Sequence, residues 1–243
     1  MIKDLHSHIL YGIDDGSKTI EESIVLLKKM EKAGTKELIL TPHYIENSKY
    51  NANNRRKEAL FRQLKKKIKE EKINIDLYLG NEVFFSNNML DLLKTGEIKT
   101  LNKSKYILFE FPMTRFYNNS LEVINQLVSN GYIPVLDHPE RYTEFQKNPN
   151  LVIEYLKSGV LLQGNFTSLF GKYGRHSRKV LKKYLKNKWI CFLGSDAHHE
   201  VAYDNKKLEK MLLKITKDKE YTEELLSKNF DKVINNEDIG III

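Results

Sequence analysis

Short apolar runs alternate with amphipathic helical stretches from one end of this chain to the other, and that alternation restricts the fold more than any other feature. Ile20, Ile24, Leu27 and Met30 recur at helical spacing; Thr19 and Glu22 supply a capping box before them, and Gly34 suits the stop. The run from Glu37 to Thr41 reads as a buried strand, followed by a basic helix over residues 53–72 and a strand over 75–79. Further strands are expected at 106–111, 132–136, 160–163 and 189–193, separated by helices at 121–130, 151–157 and 178–186. Strands separated by helices imply βαβ units and a mostly parallel sheet. About seven such units, with no linker rich in Gly, Pro or Ser, favour a closed or nearly closed α/β barrel in a single domain over residues 1–243. A doubly wound open sheet is the alternative.

With 243 residues and 41% of them hydrophobic, the chain can bury a sizeable core. Its one cysteine, Cys191, excludes an intramolecular disulfide and fits a reducing compartment. The opening residues lack the apolar core of a secretory signal, and no run approaches the ~20 apolar residues needed to span a bilayer. A cytoplasmic location is therefore expected. The net charge of +8 favours anionic partners, but much of the excess is lysine in helical runs such as 65–72, which usually form solvated faces. Charge alone does not choose a function.

The histidines are more informative. Five of the seven fall in short motifs at or just after an expected strand: Asp4-Leu-His6-Ser-His8, Thr41-Pro-His43, Asp137-His138-Pro-Glu-Arg141 and Ser195-Asp196-Ala-His198. Glu82 and Glu110 occupy equivalent positions. In a parallel α/β barrel the C-terminal strand ends converge on one face, so these residues would meet in space. Imidazole and carboxylate together suit Zn, Mn or Fe, and carboxylate-rich positions also admit Mg. His6 and His8, two apart, face one side of an extended segment. Singly, each histidine is more often structural; as a set at strand ends with acidic partners, they point to metal.

The ordered motifs resemble the PHP (polymerase and histidinol phosphatase) superfamily of metal-dependent phosphoesterases, and within it the bacterial tyrosine-protein phosphatases of the CpsB/YwqE type, which act in capsule and exopolysaccharide control. The matching stretches are DLHSHIL at 4–10, IDDGSKTIEES at 13–23, TPHY at 41–44, GNEV at 80–83, ILFEF at 107–111, HPERY at 138–142 and GSDAH at 194–198. The resemblance implies a distorted (β/α)7 PHP-type barrel with its metal site at the C-terminal strand ends. It implies up to three metal ions, manganese first, with Fe, Zn or Mg as alternatives. Carried over motif by motif, the ligands are His6, His8, Asp15, His43, Glu82, Glu110, His138, Asp196 and His198, with Asp14 competing for the place of Asp15.

Arg141 resembles the family's phosphate-contacting arginine, a role that suits a planar guanidinium able to bond two phosphate oxygens. By the same resemblance the substrate is a phosphotyrosine protein, expected to be a tyrosine autokinase of polysaccharide export. Metal-activated water would attack phosphorus in line, and His198 is the candidate to assist a leaving phenolate whose conjugate acid has a pKa of about 10. Cysteine-based catalysis is set aside, because no arginine follows Cys191 closely. Arg115, in the loop after the Glu110 strand, and Arg175, in a basic segment at 171–178 expected to be a flexible loop, are further candidates for substrate contact. A histidinol-phosphate-type phosphatase and a PHP nuclease are the rival activities, and a non-catalytic binding domain is a third class. No stable nucleic-acid complex is expected, since the basic residues are dispersed without an aromatic platform. A homo-oligomer is compatible with the sequence, and the C-terminal Gly240-Ile-Ile-Ile is a candidate for packing on the core or on a second subunit.

Overall fold

The computed structural model describes residues 2–200 and 203–240, so Ile241 to Ile243 of the apolar C-terminus lie outside the described residues. Nine parallel strands are described: β1 (Ile2–Asp4), β2 (Thr35–Leu40), β3 (His43–Tyr44), β4 (Asp76–Leu79), β5 (Glu82–Phe84), β6 (Tyr106–Glu110), β7 (Ile133–Asp137), β8 (Leu161–Asn165) and β9 (Ile190–Gly194). They form two sheets, ordered β1-β2-β4 and β3-β5-β6-β7-β8-β9. Two strand positions are broken and pass from one sheet to the other. Between β2 and β3 the break is at Thr41-Pro42, where proline has no N–H for the ladder. Between β4 and β5 it is at Gly80-Asn81.

The nine strands thus occupy seven positions, and the last meets the first. Leu5 N donates to Leu193 O at 3.3 Å, Asp196 N to His6 O at 3.0 Å and His8 N to Ala197 O at 2.9 Å. Ser7 pairs in parallel with Ala197. The architecture is the expected distorted seven-position α/β barrel, joined between β9 and β1 by irregular bonds that include Ser195 N to Asp4 Oδ1 at 2.8 Å rather than by a regular ladder.

Helices pack outside it. α1 (Ile20–Ala33) starts where Thr19 accepts from Glu22 N at 3.3 Å, a cap worth about 1 kcal/mol, and stops at Gly34 in the left-handed conformation. α2 (Asn54–Glu70) is capped by Asn53. α3 (Met89–Lys94), α4 (Ser120–Ser129), α5 (Thr143–Lys147), α6 (Val152–Lys157), α7 (Gly174–Lys186) and α8 (Asn205–Thr216) follow. The expected loop over 171–178 is corrected here. Only a short turn precedes α7, because Ser177, Val180, Leu181, Tyr184 and Leu185 form a buried stripe that holds the helix from Gly174 onward.

The barrel interior is filled by Leu5, Ile39, Tyr106, Leu108, Val135, Leu161 and Phe192, one or two side chains from nearly every strand position. Phe230 and Val233, from the last helix α10 (Asn229–Ile234; α9 is Lys219–Glu223), join this cluster from the end of the chain. This apolar plug is the floor on which the polar residues at the strands' C-terminal ends rest. No helix among the described residues is long and apolar enough to cross a membrane.

Candidate metal centre

His6 and His8 flank the Ser7 bridge, so both imidazoles turn to one side, and their Nε2 atoms lie 2.9 Å apart. Two ring nitrogens at that separation repel unless they share a proton or a cation. Their other nitrogens are held from behind. His6 Nδ1 sits 2.7 Å from Asp137 Oδ2 and 2.9 Å from Gln163 Oε1, and His8 Nδ1 sits 2.8 Å from Asp14 Oδ2. Asp14 also accepts from His43 N at 2.9 Å and from Gly16 N at 2.9 Å. Gly16 cannot carry a side chain, since a Cβ there would stand 1.8 Å from the His8 carbonyl oxygen. The Asp-Asp-Gly turn therefore divides its work. Asp14 orients His8, while Asp15 projects into the cavity with Oδ1 3.5 Å from both His43 Nε2 and His198 Nε2.

Glu82 opens β5 immediately after the strand break and faces four imidazoles. Its Oε2 lies 2.8 Å from His43 Nδ1, 3.1 Å from His8 Nε2 and 3.5 Å from His6 Nε2, and its Oε1 lies 3.4 Å from His138 Nε2. Glu110, ending β6, stands 3.4 Å from His43 Nδ1 and 3.7 Å from His138 Nε2. Asp196 Oδ1 completes the set, 3.3 Å from His198 Nδ1 and 3.5 Å from His8 Nε2. Its other oxygen accepts from Arg141 Nη1 at 2.7 Å, Tyr173 Oη at 2.9 Å and Asn165 Nδ2 at 3.0 Å. Three donors on Oδ2 leave Oδ1 free to face the cavity. His138 and Asp196 both adopt positive φ, +32° and +51°. Non-glycine residues accept that strain where the surrounding structure holds them for a purpose.

Many of these short distances are not hydrogen bonds. Both Glu82 oxygens, both Asp137 oxygens, Asp15 Oδ1, His43 Nδ1 and His138 Nδ1 have no aligned partner among the described residues. A buried polar atom left so costs about 1–3 kcal/mol, and more when charged. The atoms converge on shared points rather than on one another, as cation ligands do. Four groups have ligand atoms mutually within 4.8 Å: His8, Asp15, His43 and His198; His6, His8 and Asp196; His6, Glu82 and Asp137; His43, Glu82 and Glu110. The donor set of imidazole and carboxylate fits transition-metal or divalent ions.

The electrostatics agree. Burial alone would depress the His6 and His43 imidazoles, but Asp137 and Glu82 hold His6 well above its ordinary value, and Glu82 above all raises His43 to about 10. Burial opposes ionisation of Glu82 as well, yet His43 and His6 keep its carboxyl far below the usual range. Elsewhere charge is pushed off: burial and Glu82 raise Glu110 to about 8, whereas burial and the neighbouring Arg141 cation lower His138 to about 4. A site that cannot place its charges without such shifts is short of positive charge at its centre.

The cavity above these groups has a volume of about 340 Å³. Arg141 lies along its edge with the guanidinium 4.2 Å from the Tyr173 ring centroid, and Met113 adds an apolar wall. Seven of the nine expected ligands line the cavity, and His6 and His8 lie beneath it. Arg115 and Arg175 are exposed and not among the lining residues; Tyr173, the residue before α7, stands where a basic side chain was expected. The sequence did not single out Asp137, Gln163 or Tyr173 for roles in the site, and it offered Asp14 only as a competitor for the ligand place of Asp15, not as the partner of His8. Asp137 adjoins His138 at a strand end, and Gln163 is a polar residue ending an apolar strand, so both carried a usable signal. Tyr173 carried none. Cys191 is on β9, away from the cavity lining, its thiol pushed up to about 11 by burial.

The family model described as "Capsular polysaccharide synthesis, CpsB/CapC" matches residues 2–235. The chain is 34% identical over 242 residues to "Putative tyrosine-protein phosphatase CapC" of Staphylococcus aureus, covering 98% of this chain and 92% of that protein. It is 30% identical over 239 residues to the tyrosine-protein phosphatase YwqE of Bacillus subtilis strain 168, covering 97% and 92%. Among solved structures it superposes with a TM-score of 0.92, at 27% identity and covering 98% of this chain and 96% of the other, on a chain from the crystal structures of YwqE from Bacillus subtilis and CpsB from Streptococcus pneumoniae, described there as unique metal-dependent tyrosine phosphatases.

Proposed function

The chain belongs to the CpsB/CapC family of capsular polysaccharide synthesis, and from that premise we propose that it is a metal-dependent protein-tyrosine phosphatase. The observation that carries this function is the convergence of histidine and carboxylate atoms from the whole barrel on one cavity whose edge holds an arginine. We place the protein in the cytoplasm as a single domain. Its substrate is a phosphotyrosine protein, a tyrosine autokinase of polysaccharide export, through which it regulates capsule or exopolysaccharide synthesis.

His6, His8, Asp15, His43, Glu82, Glu110, His138, Asp196 and His198 would hold up to three ions, manganese first, with Asp137 beside them. When bound, such ions supply Lewis acidity that polarises the phosphoryl group and acidifies water towards neutral pH. The chain's own groups do the rest. Arg141 offers guanidinium N–H groups to the phosphoryl oxygens, its charge secured by Asp196 and its plane held by Asp196 and the Tyr173 ring. Asp14 fixes the His8 ring and Gln163 the His6 ring from behind, with the Asp137 carboxylate beside His6 as a further charge. His198, part-exposed at the rim with Nε2 3.5 Å from Asp15 Oδ1, passes a proton towards the leaving phenolate only in a state in which that nitrogen does not hold an ion. Met113 and Tyr173 offer the apolar surface that an aryl ring needs.

The test is steady-state hydrolysis of a phosphotyrosine peptide beside histidinol phosphate and single-stranded DNA. Metal-stripped protein is restored in turn with Mn, Fe, Zn or Mg, alongside His43→Ala and Arg141→Ala. Metal-dependent turnover of the peptide alone, lost in both variants, is the expected result. Preference for histidinol phosphate or DNA would keep the metal centre and overturn the substrate. No turnover with metals bound would leave a binding domain.

A further inference from the structure

The cationic excess of this chain is not spread evenly, and one helix with no acidic residue begins just after Tyr173 of the cavity wall. α7 carries Arg175, Arg178, Lys179, Lys182, Lys183 and Lys186 and no acidic residue. At about 100° per residue these six fall within an arc of roughly 140°, opposite the buried stripe of Ser177, Val180, Leu181, Tyr184 and Leu185. Together with Asn187 they line one surface groove. None of the six pairs with a carboxylate among the described residues; Lys183 reaches only Asn150 Oδ1, at 2.7 Å.

The lysine-rich helix α2 differs in carrying acidic residues of its own. Lys66 and Lys67 pair with Glu70, and Lys67 also with Glu71; Lys28 and Lys99 reach across to Glu71 and Glu58, while Arg55, Arg62, Lys65 and Lys69 pair with no carboxylate among the described residues. Like charges packed on one helix face repel, by an amount similar to the gain from an i, i+4 ion pair. α7 tolerates that repulsion without internal compensation, and Tyr173, the residue just before its first turn, lines the catalytic cavity.

We propose that the basic face of α7 is the docking surface for the acidic or multiply phosphorylated segment that flanks the target phosphotyrosine. This rests on the cavity being the phosphotyrosine site. From Arg175 to Lys186 the helix rises about 16 Å, the reach of about five residues of extended peptide. A chain leaving the cavity past Tyr173 therefore keeps about five residues over unpaired cations. The cations act by raising affinity for the anionic flank, not by contact with the reacting phosphorus, so the effect falls on KM.

The test uses two phosphotyrosine peptides, one with five glutamates beside the phosphotyrosine and one with serines there, and para-nitrophenyl phosphate as a substrate without a flank. The variant is Lys179→Glu/Lys182→Glu/Lys186→Glu. Expected is a KM for the acidic peptide about tenfold lower than for the serine peptide in the native protein. The variant abolishes this preference, leaving kcat and para-nitrophenyl phosphate turnover unchanged. The preference also falls with added salt in the native protein, because exposed charges are screened. Equal KM for the two peptides in the native protein overturns the proposal. So does loss of anionic-vesicle binding in the variant with peptide kinetics unaltered, which would assign the face to a lipid surface. Anisotropy of the glutamate peptide carrying unphosphorylated tyrosine reads the docking without turnover, so failure of the docking is distinguishable from failure of the phosphatase assignment. Binding to the native protein and not to the variant is expected; equal binding to both overturns the proposal.

Discussion

The floor and the rim of the cavity are built from the same residue types under opposite physical conditions. The side chains of His6, His8, Glu82 and His138 are at most 2% exposed, whereas Asp15 is 48%, His198 24%, Arg141 22% and His43 13% exposed. On the floor no water can solvate a charge, so every carboxylate and imidazole depends on a neighbour or a cation for compensation. At the rim, solvent or substrate can take that part. The floor is therefore suited to fixing ions in number and place, and the rim to meeting an incoming phosphate.

If that division is right, the largest effect follows from Glu82→Gln. It removes one full negative charge at the point where four imidazoles converge while keeping the shape. We expect kcat to fall by about 10³-fold or more, with loss of bound metal measured by elemental analysis. Retention of both metal and turnover would break the comparison outright. Arg141→Lys probes the rim. The charge stays but the fork and the stacking on Tyr173 are lost, and kcat/KM for a phosphotyrosine peptide is expected to fall by about 10²-fold at unchanged metal content. Metal loss in this variant would merge rim and floor. A smaller effect is expected for Asp14→Asn, which leaves the nine expected ligands in place and loosens the His8 ring together with the His43 and Gly16 backbone bonds that the carboxylate also accepts. Metal affinity should weaken about tenfold, with kcat restored at saturating metal.

The floor was more legible in the sequence than the rim. His6, His8, His138 and Asp196 stand at strand ends, and strand ends are visible as the last residues of apolar runs; the barrel follows from the same alternation. Two strand positions were read only in part, because Thr41-Pro42 and Gly80-Asn81 break them, and β3 and β5 are too short to show a period. His43 and Glu82 are therefore the first residues of new strands rather than residues beyond old ones. The rim depends on where α7 begins. A glycine-rich basic segment at 171–178 looks like a loop, and only the tertiary fit of Ser177, Val180 and Leu181 makes it helical and brings Tyr173 to the cavity. The plug contributed by Phe230 and Val233 was illegible for a related reason: its partners come from strands distant along the chain.

Glu140 sharpens the comparison from the stability side, because it is buried like the floor without being a candidate ligand. Its Oε1 accepts from Ser168 Oγ at 2.7 Å and from Asn165 N at 3.1 Å, while Oε2 has no partner among the described residues. Burial outweighs those bonds and raises the carboxyl from its ordinary 4.5 to about 7. A carboxyl raised on folding binds its proton more tightly in the native state, so its stabilising contribution is full below pH 4.5 and is lost as pH rises through 7. The rise corresponds to on the order of 3 kcal/mol at full ionisation. Glutamine cannot ionise and still offers an oxygen to Ser168 and Asn165. Any fixed cost of its amide group is the same at every pH and cancels in the comparison. The Tm of Glu140→Gln minus that of the native protein, read by scanning calorimetry, should therefore climb by several degrees between pH 5 and pH 8. A difference that stays flat would mean that Glu140 is solvated or paired, and that burial alone does not set the charge state of the groups around the cavity.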